Sequence, residues 1–459
     1  MLRFDTFPVF YWLPCCLLCF GLIWVALRSR VSDNVLLALA FGTFLLLRLP
    51  TLVYNREINP DESQMITQGR TLALDPVYFR SVDGTTIGPL DSYALIIPSW
   101  IGLPYDYMSA RLLAFFLITL SLLFLFKAAR KWFGQLPARL ALLPLIFALG
   151  LTQNGDLLSY CSELVPLFLL SLGIWLFSKI DAQPRPSYLI LFTVGFVLGM
   201  VPLAKIQGAP VAAALGLFIA ISIVRQPIEW MPKIGRLAVL GLAALIMPAA
   251  FIGMAWVNEL YNDFWLFYIE GNLRYGGNTD HWQNILNFPR HLAKADELGW
   301  LLIFMVILAV VAIGQYATDQ KRTSLSDTRK VRLSFIGISL LAALYAVTRT
   351  GTEFVHYFFF MVGPAFLLTA LGWEILMKLR TEVLQWAPLL GSALFLGLVV
   401  GKGVLNYSRH IPLNFYPNSE QVDFLTPQPP IVQQIRKYAK EGEYLVVWGW
   451  RCDYYVSAE

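Results

Sequence analysis

Apolar stretches of about 17–22 residues recur along the chain, and each is long enough to cross the hydrocarbon core of a bilayer as an α-helix. Short polar segments separate them. The pattern predicts an all-α polytopic membrane protein with about twelve transmembrane helices. We place the spans near residues 9–27, 34–53, 109–126, 138–153, 163–179, 187–203, 209–224, 237–257, 299–316, 333–348, 356–377 and 386–405.

Basic residues predict the orientation of these spans. Lys and Arg gather in six short segments, near residues 28–30, 127–139, 179–185, 225–236, 321–332 and 378–380. Twelve spans would put all six on one side of the membrane, and the positive-inside rule assigns that side to the cytoplasm. We therefore expect an integral protein of a bacterial cytoplasmic (inner) membrane, with both termini and the longer segments 54–108, 258–298 and 406–459 on the outer, periplasmic face.

Composition supports this class of protein. The 459 residues are 57% hydrophobic and only 14% charged, a charged fraction well below that of a soluble domain. The net charge of +5 does not indicate nucleic-acid binding, because the basic residues lie in the short loops. The five cysteines and the histidines show no zinc-site spacing, and we expect Arg48 and Lys402, near span ends, to extend toward water.

The sequence divides into three parts. Residues 1–33 contain an additional N-terminal span, and 34–405 form the main transmembrane domain with its long loops 54–108 and 258–298. The tail, 406–459, has a soluble composition. We expect a helix over 431–442 and a buried strand over 444–450, which would make the tail part of a small α/β unit.

Two adjacent acids, Asp61 and Glu62, stand just after the second predicted span. Acids at a membrane surface, near segments that could bind a lipid-linked substrate, indicate a catalytic site. A structural role for the same residues is an alternative interpretation. Asn59 and Pro60 are favourable at a helix start, and acids are favourable in the first turn. The same residues could therefore begin an ordinary amphipathic helix on the membrane surface.

Three more acids are candidates for a second acidic site: Asp91, Asp156 and Glu163. Asp91 could instead cap a short helix. Glu163 lies at the mouth of a span, where an unpaired carboxylate is costly and is usually partnered or functional, although exposure to water there would explain it as well.

Candidate cations and aromatic residues also lie at predicted outer ends of spans. Lys205 could bind a lipid phosphate or extend toward the headgroups. Arg349, whose side chain suits bidentate phosphate contact, stands near His356 and Tyr357. Aromatic residues of 258–298 could pack against sugar rings or form an interfacial belt.

These motifs, in this order, resemble those of the GT-C membrane glycosyltransferases, a group that includes the protein O-mannosyltransferases, the aminoarabinose transferase of lipid A and the RgtA/B/C/D-like bacterial enzymes. The resemblance covers most of the chain from about residue 34. It rests on Asp61-Glu62, Gly88-Pro89-Leu90-Asp91-Ser92-Tyr93, Ser109-Ala110-Arg111-Leu112-Leu113, the span end at 127–134, Ala204-Lys205-Ile206-Gln207-Gly208, the span start at 356–364 and the tail at 444–455. The additional first span, the lack of a second Asp-Glu pair and the short tail depart from the family pattern.

The resemblance implies an inverting transferase that moves a sugar from a polyprenyl-phosphate donor to a glycolipid, polysaccharide or protein acceptor at the outer membrane face. It implies that Asp61 is the base, that Glu62 orients the acceptor or the base, and that Lys205 and Arg349, with His356 and Tyr357, hold the donor phosphate. A divalent cation, Mg or Mn, is allowed but not required. The alternative function is a transporter or flippase of lipid-linked sugars, which shares the span count and the outer charges.

Overall fold

The computed structural model of the protein describes residues 8–82, 84, 86–181, 183, 185–275, 280–318, 326–378, 386–408, 430–440, 445–447, 449 and 451–458. Within these residues all regular structure is helical. The α-helices, numbered in chain order, are α1 (Pro8–Leu27), α2 (Asp33–Val53), α3 (Pro60–Leu74), α4 (Pro89–Ala94), α5 (Tyr107–Phe133), α6 (Gln135–Leu151), α7 (Gly155–Leu158), α8 (Leu164–Asp181), α9 (Tyr188–Ala204), α10 (Ala209–Val224), α11 (Trp230–Val257), α12 (Tyr261–Asp263), α13 (Gly271–Arg274), α14 (His281–Leu286), α15 (Phe288–Lys294), α16 (Asp296–Thr318), α17 (Asp327–Thr348), α18 (Phe359–Lys378), α19 (Ala387–Ser408), α20 (Pro430–Tyr438) and α21 (Asp453–Ser457).

Shorter helical turns complete the described structure. Short 3₁₀ helices span Ile97–Ile101, Ile206–Gly208 and Val355–Phe358, and a π-helix, Phe264–Glu270, joins α12 to α13. The 3₁₀ turn at 355–358 leads directly into α18, so that the membrane-spanning stretch there is Val355–Lys378. Such turns place polar side chains at span ends without interrupting the apolar helix that follows.

The prediction of a membrane protein with about twelve helical spans is confirmed. Ten helical stretches of the described chain are long and apolar enough to cross a membrane, and α6 and α9 are shorter apolar helices. Each span placed from the sequence coincides with one of these twelve helices. The protein is therefore an integral membrane protein, as its apolar composition requires.

Helix starts follow local capping chemistry. Ser32 accepts a hydrogen bond from the backbone N–H of Val35 at the start of α2. Asn59 accepts one from the backbone N–H of Asp61 at the start of α3, where Pro60 occupies the first helical turn. These side chains satisfy N–H groups that the helix itself leaves unpaired, which fixes where the polar loops end.

The centre of the bundle lies around α18, which packs against α5, α6, α8, α16 and α17. Helices α9 and α11 pack closely. A Cβ atom at Gly195 would lie 2.3 Å from the backbone oxygen of Leu240, and one at Gly199 would lie 2.0 Å from that of Ala244. Only glycine allows this backbone contact, as is common where membrane helices pack closely.

Ion pairs connect the basic loops at one end of the bundle. Asp33 accepts a hydrogen bond of 2.7 Å from Arg139 Nε and lies 2.8 Å from Arg130 Nε. Between α17 and α8, Arg332 Nε lies 2.7 Å from an oxygen of Asp181. The basic segments predicted to share one membrane side thus contact one another. Lys321, Arg322 and Arg380 of those segments lie outside the described residues.

The tail differs in part from its prediction. The helix expected over 431–442 is present as α20, which ends at Tyr438. The buried strand expected over 444–450 is wrong for the described residues 445–447, which form neither helix nor strand, and Val446 is 83% exposed. The other expected strand residue described there, Gly449, is in a bend. Instead, α21 packs against α3 and buries Val456 in the main core.

The first span, α1, packs against α2, α6 and α19. It lies at the edge of the bundle, with Leu13, Leu17 and Trp24 more than half exposed, and the tail helix α21 packs against α3. The division of the chain into an additional span, a transmembrane domain and a tail stays a prediction.

Glu229, just before α11, and Gln283, in helix α14 of the segment that follows α11, test the orientation. In a variant whose five cysteines are replaced, we expect a membrane-impermeant maleimide to label Gln283→Cys on intact cells. Glu229→Cys should be labelled only after permeabilisation, because it lies in the basic-loop end that the positive-inside rule assigns to the cytoplasm. Both positions are exposed in the structure. The opposite labelling pattern would reverse the topology.

Candidate functional site

A cavity of about 620 Å³ opens at the end of the bundle opposite the Asp33 ion pairs. Its walls come from α3, the segment 154–162, the residue after α9, the segment 264–275 and the 3₁₀ turn at 355–358. The polar and ionisable side chains that line it are Asn59, Asp61, Gln64, Thr86, Asp156, Tyr160, Cys161, Ser162, Lys205, Tyr275, His356 and Tyr357.

Asp61 lies in the first turn of α3 and faces this cavity. The Asn59 cap and Pro60 fix the backbone here, so the helix start expected from the sequence is present, and the Asp61 side chain lines the cavity beside it. Among the described residues, no side chain donates a hydrogen bond to the Asp61 carboxylate. Burial raises the pKa of Asp61; His356 and Lys205 oppose this rise, and Glu163 and Asp156 add to it.

Asp156 stands opposite, in the single turn of α7. Its Oδ1 accepts a hydrogen bond of 2.9 Å from Asn59 Nδ2, and its Oδ2 accepts one of 3.2 Å from the backbone N–H of Val355. The same oxygen lies 3.3 Å from Nδ1 of His356. Burial raises the pKa of Asp156, but the neighbouring His356, together with the hydrogen bonds from the Val355 amide and Asn59, outweighs burial and holds the pKa below its ordinary value.

Lys205 and Glu163 form a buried pair at the cavity wall. Lys205 Nζ lies 3.3 Å from Glu163 Oε1 and donates a hydrogen bond of 2.7 Å to Ser162 Oγ. Burial alone would raise the pKa of Glu163, but the positive charge of Lys205 keeps it low. Burial lowers the pKa of Lys205, but the charge of Glu163 outweighs this and raises it. The ammonium group therefore stays charged at the edge of the cavity.

His356 connects the two acidic positions. Its Nδ1 faces Asp156, and its Nε2 lies 3.9 Å from Oε2 of Glu163. The ring of Phe354 stacks on the imidazole with centroids 5.3 Å apart. Tyr357 follows, with its ring centroid 5.7 Å from Lys205 Nζ. The structure thus brings Asp156 and Glu163 together with Lys205, His356 and Tyr357, although these residues are far apart in sequence.

Glu62 does not line the cavity. It points into the protein, where both carboxylate oxygens accept hydrogen bonds from Arg111, at 3.1 Å from Nε and 2.6 Å from Nη2. Oε1 also accepts the backbone N–H of Tyr160 at 2.8 Å. Both side chains are at most 1% exposed. The expectation that Glu62 contacts the acceptor is not supported by this geometry, whereas a role in positioning the helix of Asp61 is.

Asp91 and Arg349 also lie away from the cavity lining. Asp91 is completely buried in α4, and burial raises its pKa well above the ordinary value. Its backbone carbonyl accepts the Tyr160 hydroxyl at 2.9 Å. Arg349 donates a hydrogen bond of 3.2 Å to the carbonyl of Leu273. Arg349 therefore holds the segment that covers the cavity, and its predicted phosphate contact is not supported by its position.

The sequence does not predict the partners of two buried arginines near the site. Arg111 resembles only part of a span start, and Arg48 is expected to extend toward water. Arg48 is instead 3% exposed and donates to the carbonyls of Leu149 and Leu157 at 3.3 and 2.8 Å. The signal was present, because an arginine inside an apolar span is costly unless it is paired within the protein.

The segment 264–275 covers one side of the cavity. Leu266, Phe267, Gly271 and Tyr275 line it, while Phe264 and Tyr268 pack into a second cluster of buried residues. Leu266 remains 53% exposed, so this part of the segment presents apolar surface next to the cavity. A π-helix here agrees with the frequent occurrence of such helices at functional sites.

The cavity does not present a ready set of metal ligands. Across the described ranges no group of three or more His, Cys, Asp or Glu side chains is arranged to hold a metal ion. Two carboxylates line the cavity, Asp61 and Asp156. The Asp156 carboxylate already accepts hydrogen bonds from Asn59 and from the Val355 backbone N–H and contacts the His356 ring. The residues present therefore do not fit an ion bound by the protein alone, and the optional divalent cation stays a prediction.

Comparison with solved structures identifies the fold. The chain is similar to ArnT from Cupriavidus metallidurans bound to undecaprenyl phosphate, with a TM-score of 0.58 and 16% identity over 84% of this chain and 68% of that one. The apo structure of the same protein matches with a TM-score of 0.56, also at 16% identity and with the same shares of the two chains covered. An oligosaccharyltransferase from Archaeoglobus fulgidus, crystallised with Zn and sulfate, gives a TM-score of 0.40 at 12% identity over 84% of this chain and 58% of that one, too low to add to the argument.

The expected GT-C fold is confirmed by the similarity to ArnT. The sequence itself matches no protein-family model and no curated protein. At 16% identity the likeness concerns the arrangement of helices, and the chemistry has to be argued from the side chains of the cavity.

The Glu62–Arg111 pair generates a stability prediction. Replacing one partner leaves the other charge buried and unpaired, so Glu62→Ala or Arg111→Met should lower the free energy of unfolding by about 3–5 kcal/mol. The double variant Glu62→Leu with Arg111→Met should recover much of that loss. Thermal unfolding in detergent would measure both.

The exposed pair of Lys330 and Asp327, 3.0 Å apart, provides the control. Asp327→Asn should leave the unfolding temperature unchanged within error, because exposed pairs contribute little. Equal effects of Glu62→Ala and Asp327→Asn would contradict the structural importance of the buried pair.

Proposed function

We propose that the protein is an inverting glycosyltransferase. It would transfer a sugar from a polyprenyl-phosphate donor to an acceptor hydroxyl or amine at the outer face of the membrane. The observation that carries the proposal is that Asp61, whose carboxylate accepts no hydrogen bond from a described side chain, and the buried cation Lys205 line one cavity at a bundle end. The ArnT-like fold, solved with undecaprenyl phosphate bound in that relative, supports the lipid-linked donor.

Asp61 is the proposed base. The acceptor oxygen or nitrogen attacks the anomeric carbon, the carbon–oxygen bond to the phosphate breaks with inversion, and the acceptor's proton passes to Asp61. A carboxylate serves this step better when its pKa rises toward the working pH, and burial raises the pKa of Asp61. Asp156, held by three partners and with a lowered pKa, is less suited to accept a proton.

Lys205 is the proposed contact for the leaving phosphate. The phosphate gains negative charge as the bond to the sugar breaks, and a fixed cation in a site shielded from water stabilises that charge. The Glu163 carboxylate behind Lys205 fixes the ammonium group in place. Tyr357 lies next to Lys205, and a protonated His356 would add a second positive charge on the same wall.

The isoprenoid chain and the acceptor need different surroundings. The chain would leave the cavity along apolar surface, which the segment 264–275 supplies through Leu266 and Phe267. The acceptor of the sugar would be a glycolipid, a polysaccharide or a protein. In this mechanism Glu62 positions Asp61 through the shared helix α3 and does not contact a substrate.

Comparing cells with and without the protein tests the proposal. The masses of lipid-linked sugars and of outer glycans would be measured in both. We expect one sugar to be missing from a glycan in the deletion, with its polyprenyl-phosphate donor accumulating. A transporter would be indicated instead if donor accumulated only on the cytoplasmic side and the deletion were fully rescued by an Asp61→Asn variant.

Asp61→Asn tests the base directly. The amide has nearly the same size but cannot accept the proton, so we expect transfer to fall by about 10²–10⁴-fold while the protein stays folded. Mass spectrometry of the glycan identified above would measure it. Asp75→Asn, at the far end of the same helix, should transfer normally. Near-normal transfer by Asp61→Asn would remove Asp61 from the chemistry.

The pH dependence follows from the ionisation of Asp61. Only the ionised carboxylate accepts a proton, so transfer should be present above the Asp61 pKa and disappear as the pH falls through it. Because burial raises this pKa, the midpoint of the loss should lie above the ordinary aspartate value of 3.8. Initial rates in membranes supplied with extracted lipid-linked sugars would show this. A midpoint at or below 3.8 in folded protein would argue against Asp61 as the titrating base.

A further inference from the structure

A second cluster of charged side chains lies beside the cavity and is not part of its lining. Lys402 of α19 has its Nζ 2.7 Å from Asp296 Oδ1 and 2.9 Å from Glu297 Oε1, both at the start of α16. The Lys402 side chain is 17% exposed and that of Glu297 is 1% exposed. The expectation that Lys402 extends toward water is wrong, because two carboxylates hold its side chain.

The two acids in turn hold the segment that leads to α7. Thr152 Oγ1 donates a hydrogen bond of 3.0 Å to Glu297 Oε2. Asn154 Nδ2 donates one of 3.2 Å to Asp296 Oδ2. From α19, Asn406 donates to the side chain of Gln153 at 2.5 Å. Each residue from 152 to 154 is therefore tied through its side chain to α16 or α19.

The same segment fixes Asp156. The Thr152 hydroxyl accepts the backbone N–H of Asn154 at 3.2 Å, and Asn154 Oδ1 accepts the backbone N–H of Asp156 at 3.1 Å. A continuous path of hydrogen bonds thus runs from Lys402 through Glu297, Thr152 and Asn154 to the turn that carries Asp156. Asp156 then meets His356 in the cavity.

We propose that Lys402 is a positioning residue that, through Asp296 and Glu297, fixes the 152–154 segment and with it the Asp156–His356 contact. This deepens the proposed function by adding a residue outside the cavity on which the arrangement of its polar wall depends.

The physical reason is charge balance. Without Lys402, two adjacent carboxylates would face each other, one of them nearly inaccessible to water. Asp296 has a φ of +50°, a conformation that is costly for a residue other than glycine. The pair would then be expected to separate and release Thr152 and Asn154.

The test uses the full-length protein in lipid nanodiscs, in which hydrogen exchange is resolved at the amides of Asn154 and Asp156. In Lys402→Met, which keeps the apolar stem but lacks the charge, exchange at these two amides should accelerate about tenfold or more. Lys402→Arg should restore slow exchange. The matched control is Lys378→Met, because Lys378 also pairs with a glutamate, Glu374, near a span end, at 2.6 Å, but far from this segment.

A second readout separates positioning from simple stabilisation. The imidazole ¹⁵N resonances of His356, assigned by comparison with His356→Gln, report its contact with Asp156. In folded protein the Nδ1 resonance should move in Lys402→Met and return in Lys402→Arg. Unchanged resonances and unchanged exchange at Asn154 and Asp156 would overturn the proposal. So would acceleration spread evenly over α16 and α19. Neither readout needs transfer activity, so this proposal can fail while the transferase function stands.

If Lys402→Met does not fold, Thr152→Val provides the same test. It removes the hydroxyl that links Glu297 to the Asn154 amide while keeping the shape of the side chain. Faster exchange at Asn154 and Asp156 and a shifted His356 resonance are expected. The proposal is rejected if both stay as in the wild type.

Discussion

The buried ion pair between Glu62 and Arg111 is the interaction on which the site depends. Burying two charges in a membrane protein is unfavourable unless each is paired and its remaining hydrogen-bonding groups are satisfied. Arg111 meets this condition by also donating to the backbone carbonyls of Thr51 at 3.4 Å and Arg56 at 2.6 Å, and to that of Tyr54. Glu62 meets it by accepting the Tyr160 amide.

This one pair therefore joins four elements. The end of α2, the start of α3, the body of α5 and the segment before α8 all meet at the two side chains. Asp61 is the immediate neighbour of Glu62 in α3, and Tyr160 lies in the wall opposite. Because the direction of Glu62 into the protein is fixed, the direction of Asp61 toward the cavity is fixed as well. The two adjacent acids therefore face different ways, with Glu62 in the protein interior and Asp61 in the cavity.

Charge balance explains the rest of the cavity. Glu163 and Lys205 neutralise each other, and His356 lies between Asp156 and Glu163. Asp61 is the carboxylate of the cavity that receives no hydrogen bond from the described side chains. It is half-buried in the cavity wall, and ionisable groups with shifted pKa values in such clefts are candidates for a functional role.

The helical spans could be predicted from the sequence because they depend on the length of each apolar stretch and on residues next to it in the chain. Apolar length predicts a span, and Ser32, Asn59 and Asp106 mark helix starts by local capping. The sequence predicts which residues are candidates for the site, but not which of their side chains face the same cavity. Asp61, Asp156, Glu163, Lys205, His356 and Tyr357 come together, but Glu62, Asp91 and Arg349 do not face the cavity, because that depends on which side of a helix meets which neighbour.

Partners that are far apart in sequence could not be predicted either. Nothing near Arg111 indicates Glu62, and nothing near Lys402 indicates Asp296 or Glu297, since these pairs form only when the helices pack. In the tail, the apolar run at 444–450 has the composition of a strand, but no neighbouring strand is present in the described structure to pair with residues 445–447. The composition of a segment does not show whether a neighbouring strand is available to pair with it.

The central claim is that the cavity beside Asp61 receives the phosphate of a polyprenyl lipid. A cryo-EM structure of the protein in nanodiscs with undecaprenyl phosphate tests it most directly. The account predicts phosphate density in contact with Lys205, within reach of Tyr357, and an isoprenoid chain leaving past Leu266 and Phe267. Phosphate density at Arg349 or among the basic loops near Arg139, with the cavity holding no lipid, would contradict it.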